Sequence, residues 1–227
     1  MSSTSFPSPS RISQLELKVF ACSLMLVDHI GIVFFPNLVI FRIIGRLAFP
    51  IFAWFFAYGY ARTRNWKKYL LRLLLGGLVA QPFYSLMFDK PFYDGLNILL
   101  TFSFNLVLFK FAHKFSRKKP LILLLGMVFE TFLNFEYGWY STASILLMLT
   151  WLHNKDIKDY VSWLLAWWVL NLASITISWY QPIAGFSSLI LDATNTTSNK
   201  PSKFQTIAFY LFYPLHIVIL LKLKGSL

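Results

Sequence analysis

Apolar residues fall into eight runs along the chain, at 15–35, 38–58, 69–88, 96–112, 121–135, 140–152, 160–179 and 204–223, separated by short polar connectors. A helix needs about 20 mostly apolar residues to cross a bilayer. Six runs approach that length, and those at 121–135 and 140–152 fall short. The pattern predicts an all-α, polytopic membrane bundle of about eight transmembrane helices. Residues 1–14, rich in Ser and Pro without apolar periodicity, read as a disordered cytoplasmic tail. They do not lead into a signal peptide, because the first run continues through Asp28 and His29 into bulky aromatics. With no repeat of 20–50 residues and no composition break, residues 15–227 are expected to form a single domain.

Charge sets the orientation. The balance is strongly basic, with 21 Lys and Arg against 9 Asp and Glu, but the basic residues lie in connectors rather than in a separate domain, which excludes nucleic acid as a partner and points to a lipid membrane. With the amino terminus inside, sixteen fall on the inner side: Arg11 and Lys18, the five from Arg62 to Arg72, the five from Lys110 to Lys119, Lys155 and Lys158, and Lys222 and Lys224. Lys90, Lys200 and Lys203 fall outside. The asymmetry predicts both termini in the cytoplasm. The outer connector at 180–203 carries an Asn195-Thr196-Thr197 sequon. The single cysteine, Cys22, gives no disulfide framework, and four scattered histidines without HExxH or cysteine pairs argue against a metal site.

Arg42 and Arg46 fit neither side, because they sit within the second run. An ionisable group inside a span costs at least about 2.5–3.5 kcal/mol and normally faces the bundle interior with a partner. Pro36-Asn37 predicts the turn before that run, which sets His29 and Arg42 roughly 9–11 Å below the outer surface. Arg46 is one helical turn deeper on the same face, and Gly45 has no side chain to hold a neighbour away. Asp28 neutralises one arginine and leaves a surplus. An ion pair that only fixes the hairpin is one reading; a site for an anion or for developing negative charge, with His29 moving a proton, is the other.

The runs DHIG, RIIGRLAFPIF and GYARTRNWKKYLLRLLL, together with Asn97 in GLNILLT, Glu136-Tyr137-Gly138 and Tyr213-Pro214-Leu215-His216, resemble the TraX family, conjugal-transfer proteins named for acetylation of F pilin. The likeness is dense over 15–75 and sparse beyond. It implies a membrane acyltransferase, an acetyltransferase using acetyl-CoA in a bacterial inner membrane, with a pilin amino terminus or a cell-surface acceptor as partner. His29 would be the general base, with Asp28 orienting or charging it. Arg42, Arg46, Asn97, Glu136, Tyr213 and His216 would bind substrate, and Arg62, Arg64, Lys67, Lys68 and Arg72 would hold the phosphates of the donor at the inner surface.

Other expectations follow from position alone. His216 lies twelve residues into the last run, roughly 18 Å from its outer end, so the two imidazoles are expected in different layers. Glu130 and Glu136 are both candidates to balance the spare arginine, and Pro50 and Pro82 to kink their helices. His113 and His153 read as surface, and Trp167 and Trp168 as lipid-facing or packing aromatics. Two rivals to the enzyme are a transporter or channel with a buried proton or anion path through Asp28, His29 and Arg42, and a non-catalytic partner in pilus or secretion assembly.

Overall fold

The computed structural model describes residues 12–153, 157–194 and 202–226, and among them the chain is helical with no strand. Residues 1–11, the side chains of His153 and Lys203, and Lys155, Asn195 and Lys200 lie outside the described residues. The first helix, α1 (Gln14–Phe34), opens on a capping box: Ser13 Oγ accepts from the Glu16 amide at 3.2 Å and the Glu16 carboxylate accepts from the Ser13 amide at 2.8 Å. The Ile12 amide donates to Ala193 O at 2.8 Å. Residues 12–14 thus belong to the fold, not to the expected tail.

A turn over Pro36 and Asn37 leads into α2 (Val39–Gly45), then α3 (Ala48–Arg62). The expected second span is broken at Arg46. Pro50 has no amide proton, so the Arg46 carbonyl lacks its i+4 donor, and the Arg46 amide is shared between Arg42 O and Ile43 O at 3.2 and 3.3 Å. Glycine sets how closely α1 and α2 approach. A Cβ on Gly31 would lie 2.3 Å from Phe41 Cβ, and one on Gly45 would lie 2.3 Å from Asp28 Oδ1.

Helix α4 (Trp66–Phe88) begins at Asn65, whose side chain accepts from the Lys68 amide at 2.9 Å. After α4 the chain folds back along it. Gln81 Nε2 donates to Phe92 O and Gly95 O at 3.0 and 2.9 Å, and Asn97 Nδ2 donates to Gly77 O and Gln81 Oε1 at 2.8 and 2.7 Å. Helix α5 (Ile98–Lys114) therefore starts beside the middle of α4, about 16 Å back from its end. A 3-10 turn at Ser116–Lys118 joins it to α6 (Lys119–Phe132), and the pair turns through 117°. Then come α7 (Trp139–His153), α8 (Ile157–Ala173), 3-10 turns at Ser174–Thr176 and Gln181–Phe186, α9 (Ser187–Asp192) and α10 (Lys203–Lys224).

Length and apolarity support four spans, at Gln14–Phe34, Val39–Arg62, Trp66–Phe88 and Phe204–Lys224, or five if α5 and α6 count as one bent span, rather than eight. Helices α6, α7 and α8 rise only about 21–25 Å, short of the roughly 30 Å hydrocarbon core. Helices α7 and α8 place apolar side chains inside the bundle, with Tyr140, Ile145, Met148 and Trp167 all 0% exposed, whereas α6 leaves Leu121, Leu124, Leu125 and Val128 exposed.

The direction of α10 also differs from expectation. Near the start of α1 the Lys18 ammonium sits 5.2 Å from the Phe209 ring centre, and towards its end His29 meets His216 at 2.7 Å, so α1 and α10 run parallel. The segment from Gln181 to Asp192 makes the extra return. It runs back along α8, with Trp167 Nε1 donating to Gly185 O at 3.0 Å and Tyr160 Oη bonded to Asp192, and ends against Ile12. The described ends of the chain, Ile12 and Ser226, lie at opposite ends of the bundle. Charge counting has no power here, because exchanging Lys222 and Lys224 for Lys200 and Lys203 leaves sixteen basic residues against three.

Candidate functional site

Three side chains from the first helical hairpin meet in one ionic cluster. Asp28, on α1, accepts from both arginines: Oδ2 from Arg42 Nη1 at 2.6 Å, and Oδ1 and Oδ2 from Arg46 Nη2 at 3.1 and 3.3 Å. The i,i+4 spacing of the arginines on one helical face brings both to a single carboxylate, and Gly45 between them gives that carboxylate its place. Arg46, only 6% exposed, is held from every direction. Its Nε donates to Arg42 O at 3.2 Å, its Nη1 to Gln181 Oε1 at 3.2 Å, and its guanidinium carbon lies 5.7 and 5.6 Å from the ring centres of Tyr137 and Tyr180. Arg42 is more open, with 23% of its side chain exposed and Asp28 as its only ion-pair partner among the described residues. The deeper arginine is thus the more structural, and the shallower one keeps donors to spare.

The imidazoles of His29 and His216, both 4% exposed, form a direct bond between His29 Nδ1 and His216 Nε2 at 2.7 Å. His216 Nδ1 is bonded to Phe212 O, one turn back in α10, at 2.7 Å. The expectation of separate layers is corrected. Position along the apolar runs sets the two rings apart only if α10 opposes α1; α10 runs in the direction of α1, so its His216 meets the last turns of α1. The expected Asp28–His29 contact is also replaced, since both Asp28 oxygens are taken by arginines and the partner of His29 Nδ1 is His216.

The loop from Leu133 to Gly138 closes one side of the cluster. It is fastened by Leu96 N donating to Asn134 O at 3.1 Å and Glu136 N donating to Leu96 O at 2.9 Å. Asn134, Tyr137 and Gly138 have φ of 53°, 66° and 47°, and a left-handed tyrosine costs about 1–3 kcal/mol unless its surroundings hold it. What holds Tyr137 is Phe49, whose ring centre is 4.0 Å away, with Arg46 near its ring. Burial pushes the Glu136 carboxyl up to about 7, against the pull of the Arg46 guanidinium. A neutral Glu136 leaves the site with a surplus of one positive charge.

The remaining candidates separate clearly. Tyr213, 4% exposed, lies beside His216 with ring centres 5.8 Å apart, and its hydroxyl has no hydrogen-bond partner among the described residues. Asn97 is fully buried and engaged with the fold: its oxygen caps α5 through the Leu99 amide at 3.0 Å, and its nitrogen ties α4. Glu130 belongs to a different cluster, where its carboxyl meets Asn105, Ser141 and Thr142, so only Glu136 is placed to balance the arginines. Arg62, Arg64, Lys67, Lys68 and Arg72 are all exposed; Arg62 ends α3, about 24 Å along that helix from Arg46, and Lys67, Lys68 and Arg72 lie in the first two turns of α4. Arg62 rests over the Tyr58 ring at 4.2 Å. His113 is exposed and Trp167 is fully buried. Sequence reasoning missed Gln181 and Tyr180, which reach Arg46 through the return segment, and no local pattern marks them.

These observations define an all-helical protein with membrane-spanning helices and a buried site in which two guanidiniums share one carboxylate beside two coupled imidazoles. The family follows from comparison: the TraX protein family model matches residues 13–224, and the chain belongs to that family. It is similar to the probable fimbrial assembly protein FimC, serogroup H1, of Dichelobacter nodosus, 29% identical over 93% of this chain and 96% of that one. Protein TraX of Escherichia coli is 29% identical over 60% of this chain and 46% of its own length. An uncharacterised protein of Rickettsia prowazekii (strain Madrid E) is 36% identical over 33% of this chain and 28% of its own. No solved structure matches the chain.

Proposed function

We propose that the protein is an integral-membrane acyltransferase, using acetyl-CoA to modify a pilin amino terminus or another cell-envelope acceptor during the building of a pilus or fimbria. The observation that carries the reading is the pairing of a proton-accepting group with a surplus of positive charge: His29, hydrogen-bonded to His216, in the same site as Arg42, which shares the Asp28 carboxylate with Arg46. His29 would take the proton of the acceptor. Arg42, with donors free, would hold the oxygen on which negative charge develops, where a fixed cation in a low-dielectric site acts most strongly. The name of one relative, fimbrial assembly protein, supports the fimbria setting, and the resemblance to conjugal-transfer proteins supports the pilus.

The basic connector from Arg62 to Arg72 would bind the phosphates of the donor at the cytoplasmic surface, an orientation that follows from the sixteen-to-three bias. The pantetheine arm of acyl-CoA would then cover the distance to His29. The test is transfer of labelled acetyl from acetyl-CoA to protein or glycan in bacterial inner membranes carrying the chain. His29→Ala is expected to insert normally and lose about 10²–10⁴ in rate. Retention of more than about a third of the rate, with chemistry limiting, places the base elsewhere. A non-catalytic assembly partner, the reading that the name fimbrial assembly protein favours, would keep its role in His29→Ala cells.

A further inference from the structure

We infer that His216 positions His29 for proton transfer by locking it in the Nδ1–H form, which leaves Nε2 as its lone-pair nitrogen. The inference rests on the proposed role of His29 as base, and it gives His216 a place beside the substrate-binding one that the family resemblance implies.

The protons fall along one line of hydrogen bonds. A carbonyl oxygen can only accept, so the 2.7 Å contact of His216 Nδ1 with Phe212 O requires the proton on His216 Nδ1. A neutral imidazole then has a lone pair at Nε2. The atom 2.7 Å from that lone pair is His29 Nδ1, which must be the donor. His29 Nδ1 is thereby protonated, and its Nε2 is bare. Ring geometry agrees: the two planes lie within 4° of each other, and the 4.9 Å between centres is what an in-plane, edge-to-edge N–H···N bond gives. The Phe212 ring, 4.8 Å from that of His216 and 11° from parallel, fixes the plane from one side.

Reversing the line would need a proton on both nitrogens of His216. That would add a cation to a buried site where Arg42 and Arg46 already act on His29 across low dielectric. The orientation is therefore set by a backbone carbonyl, acting through His216, without a carboxylate. During transfer the acceptor gives its proton to His29 Nε2 as its electron pair bonds to the acyl carbon. The carbon–sulfur bond then breaks with its pair on sulfur, and the thiolate takes that proton back from Nε2. The Nδ1–H bond to His216 persists through both steps, so the ring keeps its aim.

The decisive measurement is nitrogen NMR of the full chain in detergent micelles, with histidine labelled by ¹⁵N. His29 is expected to carry its proton on Nδ1, with scalar coupling across the N–H···N bond to His216. A proton on His29 Nε2 overturns the inference. In the acetyl-transfer assay His216→Gln, whose amide oxygen can still accept from His29 Nδ1, is expected to keep at least about a tenth of kcat, whereas His216→Phe loses about 10²-fold with KM for acetyl-CoA unchanged. His216→Phe retaining more than about half of kcat also overturns it. If wild type transfers no acetyl, the proposed function fails while the NMR result still decides the tautomer; if His29→Ala transfers as well as wild type, the base lies elsewhere and the positioning role fails with it.

Discussion

Replacing Gly45 by alanine tests the core of the site with one methyl group. The new Cβ would stand 2.3 Å from Asp28 Oδ1, 2.4 Å from its Cβ and 2.5 Å from its Cγ, so the aspartate must move. It is not free to do so, because Arg42 and Arg46 hold its oxygens at 2.6 and 3.1 Å. Overpacking of this kind costs about 1–3 kcal/mol, and pulling a carboxylate off a buried guanidinium approaches the roughly 3–5 kcal/mol of a broken buried pair. Against this, alanine is worth about 1 kcal/mol over glycine inside a helix. The expected net loss is on the order of 2–4 kcal/mol, with a loss of the proposed acetyl transfer. Gly76→Ala is the control: its Cβ would meet the flexible end of Leu99 at 3.1 Å, so propensity and crowding nearly cancel. Thermal unfolding in one detergent, followed by tryptophan fluorescence, should rank Gly45→Ala clearly below wild type and Gly76→Ala close to it. A Gly45→Ala protein as stable as wild type would refute the close approach of α2 to the Asp28 carboxylate.

Two further outcomes are expected. Cysteines placed at Arg64 and Ser226, in a chain with Cys22 replaced by serine, should label from opposite sides of the membrane with an impermeant maleimide; labelling of both from one side would refute the parallel course of α1 and α10. Arg46→Lys, which loses the fork that reaches Asp28, Gln181 and Arg42 O together, should be less stable by about 1–3 kcal/mol, while Arg42→Lys keeps stability and loses at least about tenfold in the proposed transfer; the reverse pattern would move the proposed catalytic cation to Arg46.

The helical class and the ionic cluster were legible in the sequence because both depend on local spacing. Arg42 and Arg46 at i,i+4, two residues that cost too much to bury unpaired, had to meet an acid, and Asp28 across a Pro36-Asn37 turn was within reach. What lay beyond the sequence was everything that depends on long-range direction. The return of residues 181–192 through the bundle turns α10 around, yet its short 3-10 and α segments leave no apolar run of spanning length. The His29–His216 bond depends on that reversal. Asn97 was marked by the family pattern, and its reason is a cap and a clamp, which needs the fold-back of 89–97 to be seen. Glu130 and Glu136 are indistinguishable by depth in the sequence; the Leu96–Phe135 bridge, which turns Glu136 towards the arginines, separates them.

The site divides its charges from its imidazoles, and that division has a chemical consequence. Had Asp28 contacted His29, the carboxylate would have favoured an imidazolium and left a guanidinium unpaired in a buried place. Because Gly45 lets Asp28 lie between the two arginines, its charge is spent on them, and His29 is oriented instead by a neutral ring tied to a backbone carbonyl. The excess positive charge remains on the arginine side, most accessible at Arg42. A reaction that places a proton on His29 and negative charge on an oxygen near Arg42 would find each in the part of the site already suited to it, and the energy of that arrangement is supplied in folding rather than in the transition state.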